Sequence, residues 1–119
     1  MYLFVYGVIS SHLHSNPFYR SFTLIEDVAW VTGCLYDTGM GFPALAPGDA
    51  IVFGKLLQLD DDQFASMIQM VKHYDLLNSP FQFHVRPIKA VSARNQYHAV
   101  AFMYDDGLEL TKVESGSWQ

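Results

Sequence analysis

The sequence has one cysteine, few charges and no long apolar run, and each shortage removes a class of protein. Cys34 is the single cysteine among 119 residues. It excludes an intramolecular disulfide and a multi-thiolate metal site, and it fits a reducing compartment. Charged residues make up 16% of the chain, against about 25% in an ordinary soluble domain. The seven basic residues, Arg20, Lys55, Lys72, Arg86, Lys89, Arg94 and Lys112, are scattered, and the net charge is -5. Without a basic stripe to neutralise phosphates, nucleic acid is not an expected partner. No apolar stretch approaches the ~20 residues that span a bilayer, and the start carries neither a basic n-region nor a long apolar core. Membrane insertion and a secretory leader are therefore not expected, and a cytoplasmic location is.

Apolar and aromatic side chains, by contrast, are plentiful. Half the residues are hydrophobic, with nine Phe, seven Tyr and two Trp. A chain of this length makes a single domain, 1–119, with its own core and little room for a second. So few charges leave uncharged and apolar area at the surface, as expected of a homo-oligomer or of a protein with a lined cavity.

Local patterns divide the chain into strands and one strong helix. Tyr2-Leu3-Phe4-Val5-Tyr6 is an uncharged run of β-formers and reads as a buried strand. It runs into Gly7, where main-chain N–H groups can form a concavity that holds an anion. Asn16-Pro17 and Phe18 to Phe22 read as a turn and one short helical turn. Thr23 to Tyr36 reads as extended, with Gly33 marking a bulge or a close approach. Asp37 to Gly41 is expected to turn, Phe42 to Leu45 to extend, Pro47-Gly48-Asp49 to turn again, and Ala50 to Leu59 to form a kinked strand. Asp60 is a good N-cap with Gln63 three residues on, and Phe64, Met67, Ile68 and Val71 recur at helical spacing, predicting a helix over 60–74. Phe81 to Ala93 and Gln96 to Tyr104 predict a hairpin turning at Arg94-Asn95. Asp105 to Gly107 should turn, and Leu108 to Gln119 reads as a tail. The pattern is that of an α+β domain, and glycines inside two long strands suit a sheet curled into a small barrel.

The pieces taken in order carry more information than any one of them. Val5-Tyr6-Gly7 is followed by Gly33-Cys34-Leu35-Tyr36-Asp37, Phe42-Pro43-Ala44-Leu45 and Gly54-Lys55-Leu56. The amphipathic helix, Arg86 and Ser115-Gly116-Ser117-Trp118 come after them. This series resembles the γ-glutamylcyclotransferase-like family over essentially the whole chain. The resemblance implies a small mixed β-barrel flanked by helices, with a ligand cavity at one end. It also implies an activity that needs no cofactor, the cyclisation of a γ-glutamyl amine or peptide to 5-oxoproline. In the family, main-chain amides of a Tyr-Gly-Thr/Ser-Leu loop receive the substrate carboxylate, and the matching residues are Tyr6, Gly7, Val8 and Ile9. Val8 replaces the hydroxyl residue, and Ser10 stands where a basic residue often follows.

A second departure weighs more. The family helix typically carries Leu-Asp-x-x-Glu before Gly-Tyr-Asp, and that Glu is the general acid/base. Aligned on Tyr74 and Asp75, the Asp position is Gln69 and the Glu position is Lys72. The reaction needs a base for the attacking α-amine and an acid for the leaving amine. A lysine with its ordinary pKa of about 10.4 is protonated at neutral pH and cannot be that base. Lys72 then reads as a rim lysine whose stem lies along the apolar stripe. Asp75, three residues on and close to the same helix face, is a candidate substitute carboxylate, its plainer reading being a solvent-facing residue near the helix end. Glu26 and Asp27 precede a strand and could face anywhere, and His73 is a weaker base candidate.

The remaining polar residues have simpler roles. His12 and His14 are two apart in a loop with no second motif at ligand spacing, so no metal is expected. Arg86 matches the family's arginine and reads as structural, at the edge of the cavity. Cys34 lacks an activating neighbour in sequence. The expected protein keeps the anion-receptive loop, binds a small anionic or γ-glutamyl-type metabolite and lacks the standard cyclotransferase reaction. The alternatives are an active cyclotransferase using Asp75, and a protein-interaction module favoured by the low charge and high aromatic content.

Overall fold

The computed structural model describes residues 1–6, 22–37, 43–78, 84–104, 111–113 and 115–116. In chain order the elements are β1 (Tyr2–Val5), β2 (Thr23–Asp37), β3 (Pro43–Gln58), α1 (Asp61–Asn78), β4 (His84–Val91), β5 (Gln96–Met103) and β6 (Thr111–Lys112). The sheet runs β3-β1-β5-β4-β2-β6, and β2 pairs back onto β3, so five strands close on themselves. β1 lies parallel to β5 at Leu3↔Val100, and the other ladders are antiparallel. The result is an α+β domain built as a small mixed barrel, with α1 as the helix among the described residues.

Why β1 is uniformly apolar is clear from its two faces. Phe4 points into the barrel with Val31, Leu35, Leu45, Val52, Leu56 and Ala101. Leu3 and Val5 point outward to Leu57, Leu59, Phe102 and Met67 of α1. A strand buried on both sides has no polar alternation. On α1 the expected stripe does this packing: Met67 is fully buried, and the Phe64 ring stacks on Phe102 at 6.4 Å between centroids. The capping box is present in full. The Gln63 N–H donates to Asp60 Oδ1 at 2.8 Å and the Asp60 N–H donates to Gln63 Oε1 at 3.0 Å. The helix runs four residues beyond the expected 74, to Asn78.

Several expectations are corrected. Pro43 to Gln58 is one strand, and Pro47-Gly48-Asp49 does not turn the chain. Gly33 pairs with Ala50 while the next residue, Cys34, pairs with Ala46, so 47–49 form a bulge within a continuing ladder. The backbone keeps its direction because Cys34 to Asp37 continue to pair with Ala46 to Pro43. Glu26 lies inside β2 between two register shifts. The carboxyl-terminal stretch is not a simple tail: Lys112 and Thr111 pair with Tyr36 and Asp37, and the Phe53 N–H donates to the Gly116 carbonyl at 2.9 Å. Gly116 has φ +71°, a conformation that favours glycine. Gly54 is required by proximity, since a Cβ there would meet the Val5 carbonyl and the Phe4 ring. The expected hairpin is present, with β4 and β5 paired from His84↔Met103 to Val91↔Gln96. The short helical turn at Phe18 to Phe22 and the turns at 38–41 and 105–107 lie outside the described residues, apart from Phe22. No described helix is long and apolar enough to cross a membrane.

Core packing between barrel and helix makes a direct prediction. Met67→Ala should cost about 2–5 kcal/mol in urea unfolding, as for other large-to-small core changes. Ser66→Ala, one residue away on the exposed face, should stay within about 0.5 kcal/mol.

Candidate functional site

The barrel has two chemically different ends. Because β1 and β5 are parallel, both strands run from one end, marked by Tyr2 and Tyr97, to the other, marked by Tyr6 and Tyr104.

At the Tyr2 end a buried carboxylate is fully coordinated by side chains. Glu26 receives the Ser92 hydroxyl and, at 2.8 Å, the Tyr97 hydroxyl on Oε2. Arg94 donates to its Oε1 through Nη2 at 2.9 Å and Nε at 3.2 Å, and Nη2 also reaches the Ile25 carbonyl at 3.1 Å. The Ser92 hydroxyl in turn accepts from the N–H groups of Arg94 and Asn95, which fixes the β4–β5 turn. Donation from Ser92, then from Arg94, holds the Glu26 carboxyl below the usual glutamate range. Donating to the Glu26 carboxylate pushes the Tyr97 phenol up. Charge-assisted hydrogen bonds of this kind are among the stronger ones. Every lone-pair direction is occupied by the fold, so this cluster pins the hairpin turn to β2. Its sequence signal was an acidic pair, Glu26-Asp27, inside a strand run of β-formers. Asp27, beside it, faces outward and pairs with Lys55 at 2.6 Å across an exposed surface.

At the opposite end Tyr6 follows β1. Its hydroxyl donates to the Phe102 carbonyl of β5 and accepts from the Leu45 N–H of β3 at 3.2 Å. The Tyr104 N–H donates to the Leu45 carbonyl at 2.7 Å. The Tyr6 ring lies against Phe4 and the interior cluster. Its side chain therefore ties three strands together just after β1. Gly7, Val8 and Ile9 themselves lie outside the described residues.

The other expected site residues fall as follows. Lys72 and Asp75 are both on α1, three positions apart in one helix, and their side chains lie outside the described set. The same holds for His73. Arg86 sits in the middle of β4, opposite Ala101 of β5. Cys34 is half-buried in β2. His12 and His14 lie outside the described residues, and among the described ones no three His, Cys, Asp or Glu side chains gather as a metal site would require.

No family model matches the sequence. A curated relative, the γ-L-glutamyl-butirosin B γ-glutamyl cyclotransferase of Niallia circulans, is 25% identical over 72 residues, which is 60% of this chain and 46% of that protein. Among solved structures, YkqA from Bacillus subtilis superposes with a TM-score of 0.73 at 21% identity, over 98% of this chain and 39% of YkqA. An uncharacterised protein from Pyrococcus horikoshii gives 0.69 at 12% identity, covering 98% of this chain and 88% of its own. An AIG2-like protein from Mus musculus gives 0.58 at 14% identity, over 95% and 85% of the two chains. The matches thus span less than half the length of the curated relative and of YkqA.

Titration offers a check on the Glu26 cluster. The folded-state pKa of Glu26 is lowered, so its stabilisation is complete above the unfolded value of about 4.3 and is lost as pH falls through the folded value. Thermal melts from pH 6 downwards should therefore show an acid-limb loss of Tm that Glu26→Gln flattens. An unchanged acid limb in the variant would contradict this role.

Proposed function

Because the chain is γ-glutamylcyclotransferase-like, with the AIG2-like barrel, we propose that it binds a small anionic or γ-glutamyl-type metabolite at the Tyr6 end and does not carry out the standard cyclotransferase reaction. The observation that carries this reading is Lys72. It stands where the family resemblance calls for the general acid/base Glu, with Tyr74 and Asp75 in register beside it. Cyclisation joins the α-amine nitrogen of a γ-glutamyl group to its γ-carbonyl carbon and expels the γ-amine. A proton must leave the attacking nitrogen and another must reach the leaving one. An ammonium at position 72 cannot accept the first proton, and it opposes the substrate's own ammonium.

Binding asks less of the chain than turnover does. Main-chain N–H groups over Tyr6 to Ile9 belong to the backbone, so they survive the side-chain changes at Val8 and Ser10. The Tyr6 bridge between Phe102 and Leu45 supports this reading by anchoring the first residue of that loop. Lys72 adds positive charge for an anionic ligand. A single cysteine suits a cytoplasmic setting. A second reading, an active cyclotransferase whose base is Asp75, is favoured by the match to a γ-glutamyl cyclotransferase.

The two readings part in a product assay. Incubated with γ-glutamyl peptides or amines, the chain is expected to release no 5-oxoproline while binding glutamate by calorimetry. Lys72→Glu, which restores a carboxylate at that position, is expected to gain turnover. Turnover by the unaltered chain that is lost in Asp75→Asn would establish the second reading instead.

A further inference from the structure

The carboxyl-terminal segment covers main-chain groups on one edge of β3. An antiparallel ladder is hydrogen-bonded at every second pair. The Leu59 N–H donates to the Met1 carbonyl, and Leu57 and Lys55 follow at two-residue steps opposite Leu3 and Val5. The next β3 residue whose N–H points to that edge is Phe53. By then β1 has ended, at Val5, and the Phe53 N–H donates to the Gly116 carbonyl at 2.9 Å.

Gly116 is held there through a second strand. Its N–H donates to the Val113 carbonyl at 3.1 Å, and the Val113 N–H donates to the Leu35 carbonyl of β2 at 2.7 Å. Lys112 and Thr111 pair with Tyr36 and Asp37, and the Val113 side chain packs on the interior cluster. Residues 111–113 are thus fastened to β2, and Gly116 to β3. The fit against β3 leaves no room for a side chain, since a Cβ on Gly116 would collide with the Ile51 carbonyl. Its φ of +71° disfavours any other residue as well.

The covered stretch is itself a template for strand pairing. Ala50-Ile51-Val52-Phe53 is a run of mostly β-forming residues, and no charge interrupts the chain between Asp49 and Lys55. Ile51 and Phe53 are 47% and 42% exposed. Strand edges of this kind are blunted by charge, by proline or by a covering segment. Here the first two are missing from the stretch, which leaves the cover. We propose that residues 111–113 and 116 form a strap that guards this edge. Lifted from Phe53, the strap bares main-chain groups that pair with the same edge of a second copy of the chain. Such a contact is isologous, because each copy offers the other the same N–H and C=O groups at Ile51 and Phe53. The Ile51 and Phe53 side chains meet their counterparts on one face of the joined strands.

The test lifts the strap at its tightest point in the full chain with Gly116→Val. Amide hydrogen exchange at Phe53 reads the edge. Sedimentation velocity reads association, from about ten micromolar to about one millimolar, the range of weak interfaces. The folded variant should exchange the Phe53 amide about tenfold faster or more, the effect of straining a positive-φ site. It should also self-associate more strongly than the unaltered chain as concentration rises. Adding Ile51→Lys should abolish that association and leave the fast exchange in place. Val113→Ser, which loosens the strap from β2, should act in the same direction, and it carries the test if the glycine variant does not fold. Unchanged exchange at Phe53 would overturn the guard. So would fast exchange without added association, or association that survives Ile51→Lys.

Discussion

Burial of β1 on both faces is the constraint on which the rest of the molecule depends. Phe4 fills the barrel while Leu3 and Val5 seat the helix, so one four-residue strand belongs to two cores at once. Fully burying each such side chain is worth about 1.5–3 kcal/mol, and three of the strand's four residues are buried. Its neighbours are shaped to accept it. Gly54 has no side chain because the Val5 carbonyl and the Phe4 ring occupy that space. Ala101 is small beside Phe4's row. Tyr6, the next residue, converts the end of the buried strand into a bridge between β5 and β3.

That geometry separates structural polarity from the polarity proposed for binding. The Glu26, Ser92, Arg94 and Tyr97 network is saturated by its own members, and it sits where β1 begins. The Tyr6 end has a different character. There, among the described residues, β1 has ended, no β2–β4 pairing continues, and Arg86, His84 and Asp37 take inward register positions. A carboxylate locked into a hairpin turn is a fastening. The proposed function draws on Tyr6, the residues that follow it and Lys72.

Much of the fold could be read from residue order. The buried strand, the capping box at Asp60 and Gln63, the Phe64-Met67-Ile68 stripe and the hairpin around Arg94 each follow from local chemistry, and local chemistry decided them. The misreadings share one cause. Pro47-Gly48-Asp49 has turn composition, but the ladder on both sides of it holds the chain straight and turns it into a bulge. Thr111 and Lys112 have no strong strand signal and become β6 only because the end of β2 offers an edge. Glu26 could not be assigned from sequence because its partners lie 66 to 71 residues away. The inward positions of Arg86 and Asp37 depend on register across three strands, which no local pattern contains. Lys72 is the reverse case: the role proposed for it comes from the sequence alone, by comparison with the residue the family resemblance places there.

In the proposed function a small anion binds at the Tyr6 end of the barrel. Amide chemical-shift mapping of the isotope-labelled chain during titration with glutamate tests it most directly. Shifts should concentrate at Gly7, Val8 and Ile9 and extend to Ala101 and Met103, with Ser92, Asn95 and Tyr97 unmoved. Shifts centred on the Ser92 to Tyr97 end, or none at millimolar glutamate, would contradict it.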